Sequence, residues 1–137
     1  MPVLVDTNIL IDILTDDPQW AEWSVKQIEI RASDGLIINS ISYAELCFGS
    51  PSVSFVDNII RQFSLIYQDI PRQGLFLAAK AFAAYKKRKG TKASVLPDFL
   101  IGGHAEAANL PILTRDTKRL STYFPNVRLF APAKKIT

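Results

Sequence analysis

Four carboxylates stand where the chain turns from apolar strand to helix. Asp6 follows Val3-Leu4-Val5, and Glu45 sits in "ISYAELCFG". Asp98 follows Pro97 in "LPDFLIGGHAEAANLPILTRD", and Asp116 comes two residues after the apolar stretch Ile112-Leu113-Thr114. Carboxylates that converge repel one another and raise each other's pKa unless a cation joins them. An oxygen-only donor set suits Mg²⁺ or Mn²⁺, which bind through a few carboxylates together with substrate phosphates and activate water for in-line attack on phosphorus. Metal-dependent phosphodiester hydrolysis is the chemistry these residues point to. Each acid also has a plainer role. Asp6 caps a helix beginning at Thr7 or Asn8, Ser42 and Glu45 form a capping box, Asp98 favours the positive end of its helix, and Asp116 caps a helix at Thr117.

The elements that must position these acids alternate between short apolar strands and amphipathic helices. Strands are predicted at residues 2–5, 36–39, 65–67, 112–114 and 127–129. Helices are predicted from Thr7 or Asn8 through Leu14, then over 19–32 after the Asp17-Pro18 start signal, 42–48, 52–64, 71–89, 97–108 and 117–122. Strands apolar on both faces and separated by helices imply an α/β, three-layer sandwich with a central, mainly parallel sheet flanked by helices. Ligands of such sheets bind outside the carboxyl ends of the strands, which is where the four acids would emerge. With 137 residues, 48% of them hydrophobic, the chain reads as a single domain over 1–137. Its N-terminus lacks a basic segment followed by an apolar stretch, and no apolar run is long enough to span a bilayer. A cytoplasmic location with no membrane partner is therefore expected.

The charge is divided unevenly. Residues 1–60 carry nine acidic and two basic side chains, whereas residues 61–137 carry four acidic and fourteen basic ones. A basic half is suited to a polyanion, usually nucleic acid. "YKKRKGTK", residues 85–92, holds Lys86, Lys87, Arg88, Lys89 and Lys92 with no acid among them. It reads as a phosphate-contacting segment, with a solvated helix end as the simpler account. Arg115, between Thr114 and Asp116, is a second candidate for holding a phosphate.

Other residues carry weaker signals. One cysteine, Cys47, excludes an intramolecular disulfide and a cysteine-rich metal site, and one histidine, His104, excludes a multi-histidine zinc site. His104 lies six residues past Asp98, almost two helical turns away, and reads as structural or surface; Cys47 reads as a small core residue. Trp20 and Trp23 share one helix face, as core packing or as the wall of an interface. Asp12 is expected on a solvated or rim face. Gly102 and Gly103 inside a helix each weaken it by about 1 kcal/mol relative to Ala, which close packing would justify.

"VLVDTNILIDIL", "ISYAELCFG", "LPDFLIGGHAEAANLPILTRD" and the late "VRLF" resemble, in order and spacing, the PIN-domain ribonucleases, especially the VapC-like toxins of toxin–antitoxin pairs. The likeness extends over nearly the full chain. It implies a PIN-like fold, RNA as substrate, and Mg²⁺ or Mn²⁺ as cofactor, with Asp6, Asp98 and Asp116 as metal ligands and Glu45 as a fourth catalytic acid. Thr114 and Asn8 match supporting residues that orient ligands or water. The resemblance also implies a homodimer, and a cognate antitoxin that blocks the site with a C-terminal segment. Two other readings compete with an endoribonuclease toxin. One is a catalytically idle RNA-binding or regulatory protein of the same fold, against which all four acids argue. The other is an aspartyl-phosphate phosphatase, which wants an acid where this chain has Asn8.

Overall fold

Val3-Leu4-Val5 is fully buried on both faces, which is possible only for a strand covered above and below. The computed structural model, which describes residues 1–88, 90 and 95–133, places it at the centre of a five-stranded sheet. The strands are β1 (Val3–Val5), β2 (Leu36–Ile38), β3 (Leu65–Tyr67), β4 (Ile112–Leu113) and β5 (Leu129–Phe130), in the order β3-β2-β1-β4-β5. Every pairing is parallel, so the expected mainly parallel sheet is wholly parallel among the described residues. The helices are α1 (Thr7–Leu14), α2 (Ala21–Arg31), α3 (Ser40–Cys47), α4 (Val53–Gln62), α5 (Arg72–Lys87), α6 (Leu96–Ala108) and α7 (Lys118–Tyr123).

Strand side chains alternate between two cores. Val3, Val5, Leu36, Ile38 and Leu113 meet Ile9, Leu10, Ile28, Leu46 and Val56 from α1 to α4. Leu4, Ile37 and Ile112 meet Ala78, Phe99, Ile101, Ala105 and Leu120 from α5 to α7. The layers are therefore helix, sheet, helix, as the apolar strand pattern requires.

Element ends differ from the sequence reading for identifiable reasons. Asn39 is expected at the end of β2, but its side-chain oxygen accepts from the Ile41 and Ser42 amides (3.0 and 3.2 Å). It is the N-cap of α3, which starts at Ser40 and not at Ser42, so no Ser42–Glu45 capping box forms. Asp17 holds a turn by accepting from the Gln19 and Trp20 amides (2.9 Å each), delaying α2 to Ala21. The last strand lies at Leu129–Phe130, not 127–129, because β4 sets its register: the Ile112 and Thr114 amides donate to the Arg128 and Phe130 carbonyls (2.9 and 3.0 Å).

The glycine pair does what close packing demands. A Cβ on Gly103 would lie 2.2 Å from the Gly74 carbonyl oxygen on α5, and one on Gly102 would lie 2.3 Å from the Phe124 ring. The missing side chain of Gly103 lets α6 press against α5, and that of Gly102 leaves room for the Phe124 ring. No helix among the described residues is long and apolar enough to cross a membrane.

Candidate active site

The strand order reverses at β1, whose neighbours are β2 on one side and β4 on the other. The carboxyl ends of β1 and β4 thus flank the crevice where open parallel sheets bind ligands. Asp6 emerges there, 8% exposed, with its amide donating to the Leu113 carbonyl (2.9 Å). It occupies the N-cap position of α1 but makes no side-chain capping bond. One carboxylate oxygen, Oδ2, instead accepts from the Thr114 hydroxyl (2.8 Å) and from the Asn8 amide (3.3 Å). The Thr114 oxygen in turn accepts from the Asp116 amide (3.1 Å), so one buried hydroxyl ties the end of β1 to the loop after β4.

Burial pushes the Asp6 carboxyl up to about 6, against the pull of the Thr114 hydroxyl, and the charges of Asp98 and Glu45 push the same way. Asp98, in the first turn of α6, is also raised by burial; Arg119 opposes this, while Asp116 and Glu45 add to it. The four acids therefore share one electrostatic neighbourhood at one edge of the sheet. Three of them are held by a partner on another element, Asp6 by Thr114 as above. Glu45 Oε1 accepts from the Thr7 hydroxyl at the start of α1 (2.7 Å), and Asp98 Oδ2 accepts from Arg119 on α7 (2.5 Å). Asp116 is exposed, and the helix after it has no side-chain cap. None of the four acids forms the side-chain cap that the plainer reading proposed for Asp6, Glu45 and Asp116.

The donor set suits a hard cation in kind. The carboxyls are oxygen ligands, their neighbours' charges help to raise Asp6 and Asp98, and Asn8 Oδ1 is buried beside Asp6 with no hydrogen-bond partner among the described residues. The set is not drawn tight: among the described residues no three acidic, histidine or cysteine groups are close enough to hold a metal together. Mg²⁺ does not require such a cage, since it keeps several waters and takes one or two protein carboxylates. Arg119 currently neutralises Asp98, and a cation there would compete with it.

One sequence expectation is corrected. Asp12 is not at a rim: it is 2% exposed and accepts from Arg115 Nε and Nη2 (2.7 and 3.0 Å), with Ser24 Oγ at 3.3 Å. Arg115, expected to hold a phosphate, is engaged in this pair while remaining partly exposed, with its guanidinium 5.6 Å from the Trp20 ring. A buried carboxylate needs its countercharge, and this pair fastens α1 to the Thr114–Asp116 loop. Trp20 and Trp23 meet edge to face (6.1 Å) beside it, as packing.

His104 is fully buried and structural. Because Asn39 Oδ1 is occupied by the α3 amides, Asn39 Nδ2 faces and donates to His104 Nδ1 (3.0 Å). Burial holds its pKa below the usual value. Cys47 is half-buried against the α1–α4 core. Lys86 and Lys87 are exposed in the last turn of α5, and Arg88 lies over the Tyr123 ring (5.5 Å). Lys89 and Lys92 lie outside the described residues. Thr7 and Arg119 hold two of the acids and were not singled out from sequence; Thr7 lies inside the Asp-Thr-Asn motif, which was the available signal.

Comparison with known proteins agrees with the fold. The fold matches VapBC2 from Rickettsia felis, solved bound to a promoter DNA fragment (TM-score 0.73, 22% identity, covering 97% of this chain and 100% of that one). It matches VapBC-1 from nontypeable Haemophilus influenzae (TM-score 0.71, 23% identity, 96% and 98% coverage). A toxin–antitoxin complex from Klebsiella pneumoniae also shares it (TM-score 0.64, 23% identity, 97% and 99% coverage). A search of curated protein sequences gives no match. The family model for the PIN domain matches residues 3–124, which span all four acids, and the chain belongs to the PIN-domain family.

Proposed function

We propose that this protein is a metal-dependent endoribonuclease, the toxin of a toxin–antitoxin pair. The observation that carries the reading is Asp6: a buried carboxyl at the strand-order switch, raised to about 6 and within the fields of Asp98 and Glu45. Such a group is waiting for positive charge. Asp6, Asp98 and Asp116 would hold Mg²⁺ or Mn²⁺, which supplies charge neutralisation at the phosphate and an activated water. Thr114 and Asn8 orient Asp6 through its Oδ2, and Thr7 orients Glu45. Lys86, Lys87 and Arg88 would hold flanking phosphates, the basic partner to the acidic edge.

The antitoxin reading has its own support. An apolar groove of about 530 Å³ runs from Glu45 along Ile11, Leu14, Leu46, Phe48 and Phe55. Phe48 there is 95% exposed, a cost that a partner segment seated in the groove would remove. The solved structures that share the fold include toxin–antitoxin complexes. A homodimer belongs to the same proposal, and sedimentation of the purified chain tests it.

The decisive experiment incubates the protein with RNA and Mg²⁺ or Mn²⁺, with and without chelator, beside Asp6→Asn and Asp98→Asn. Cleavage is expected only in the unsubstituted protein with metal. Cleavage that persists in both variants, or in chelator, refutes the site. RNA binding without cleavage would favour the second reading, an idle RNA-binding PIN protein, for which the Arg119–Asp98 pair is the supporting observation.

A further inference from the structure

A second cavity, of about 470 Å³, opens beside Asp116 between the end of α5 and α7. Its lining is Tyr85, Asp116, Lys118, Arg119, Thr122 and Tyr123. Its size falls within the range of roughly 300–1,000 Å³ typical of small-molecule pockets. The combination of groups differs from that of the apolar groove: two aromatic rings, two cations, a hydroxyl and one acid. The rings are fixed. Tyr123 stands edge-on to Phe99 (5.2 Å) and to Tyr85 (6.1 Å), and Arg88 covers it at 5.5 Å. Lys118 is exposed and makes no ion pair among the described residues, so its ammonium is available to a ligand. Arg119 bridges the cavity to the acid edge through Asp98.

We infer that this cleft is a nucleotide subsite, seating one unpaired base against Tyr123 and its phosphate on Lys118, one step along the strand from the acids. The inference deepens the nuclease reading and rests on it for the choice of RNA. Unstacked bases are recognised by stacking on aromatic or guanidinium planes, and backbone phosphates by nearby cations. A Tyr123 ring already held by its neighbours pays little conformational entropy to receive a base. The position of the cleft makes it a determinant of which nucleotide lies beside the cut.

The test measures binding of fluorescein-labelled single-stranded RNA octamers, oligo(U) and oligo(A), by anisotropy in chelator, which separates binding from cleavage. Variants are Tyr123→Leu, Tyr123→Phe and Lys118→Glu, with Lys26→Glu on exposed α2 as a charge control. Tyr123→Leu should raise Kd about fivefold or more, and Tyr123→Phe should retain binding. Lys118→Glu, at an exposed position that leaves the fold intact, should weaken binding and reduce its salt slope by about one ion; Lys26→Glu should not. A 4-thiouridine octamer should crosslink to Tyr123. Unchanged Kd in both Tyr123→Leu and Lys118→Glu overturns the subsite, even where the unsubstituted protein cuts RNA with Mg²⁺. So does a Kd for uridine or adenosine monophosphate equal to that of the octamer, or equally tight binding of oligo-aspartate lost in the same variants. Absence of any octamer binding also overturns it. Binding that depends on Tyr123 and Lys118 without cleavage under Mg²⁺ keeps the subsite and removes the nuclease reading.

Discussion

Replacing Asp6 by Asn should stabilise the metal-free protein while abolishing its chemistry. Asp6 is 8% exposed and its carboxyl pKa is raised from 3.8 to about 6. About two units correspond to roughly 3 kcal/mol of folding free energy lost at pH 7, at about 1.4 kcal/mol per unit. A folded-state pKa above the unfolded one means that the protonated carboxyl's contribution is fully present below about 3.8 and disappears as pH rises through about 6. Asn presents a neutral group of the same shape, and its oxygen still accepts from Thr114. In chelator at pH 7 the variant should therefore melt roughly 10 °C higher, by the usual conversion of about 3–4 °C per kcal/mol for a chain this size. At pH 5 the gap should fall to about half, because the unsubstituted protein then carries less charge at this position. Mg²⁺ should raise the melting temperature of the unsubstituted protein and leave Asp6→Asn unmoved. Circular dichroism melts at both pH values, with and without Mg²⁺, decide the matter. A variant less stable than the parent in chelator, or a gap indifferent to pH, would refute the claim that Asp6 is an uncompensated buried charge.

Other perturbations have a definite sign. The Arg115–Asp12 pair is asymmetric, with side chains 32% and 2% exposed. Arg115→Ala strands a buried carboxylate and should cost about 3–5 kcal/mol, more than Asp12→Ala, whose abandoned guanidinium reaches water; urea titration compares the two, and the reverse order would show that the pair does not hold the loop as described. Gly103→Ala, a change that helix propensity alone would favour, should instead destabilise by about 1–3 kcal/mol or more, since its Cβ would lie 2.2 Å from the Gly74 carbonyl. A raised melting temperature for that variant would mean α5 and α6 separate without cost. Phe48→Glu should leave stability within about 0.5 kcal/mol, because the ring is 95% exposed, and should abolish capture by the antitoxin; retained capture would empty the groove of its assigned role.

Which residues form strands was legible because burial on both faces demands unbroken apolar runs: Val3-Leu4-Val5, Leu36-Ile37-Ile38 and Ile112-Leu113 admit no other reading at that length. Asp6 and Asp116 were legible for the same reason, since each closely follows such a run, whereas Glu45 and Asp98 lie within α3 and α6 and stood out by the motifs around them. Element ends were less so. Asn39 continues the strand by position but serves as a helix cap, a choice made by two backbone amides that only folded α3 presents. Asp12 shows the limit most clearly. It lies three residues past buried Ile9, so helical spacing already put it on the inner face of α1. No local signal named Arg115, 103 positions away, as the countercharge that makes such burial tolerable. The pairings Thr7 with Glu45, Asp98 with Arg119, and Asp6 with Thr114 are of the same kind. Periodicity and apolar runs are local properties, so the sequence by itself determined the layers and delivered four acids to one edge. The direction each carboxylate faces, and the cation that meets it, depend on helices brought together across the sheet, and these only the tertiary structure decided.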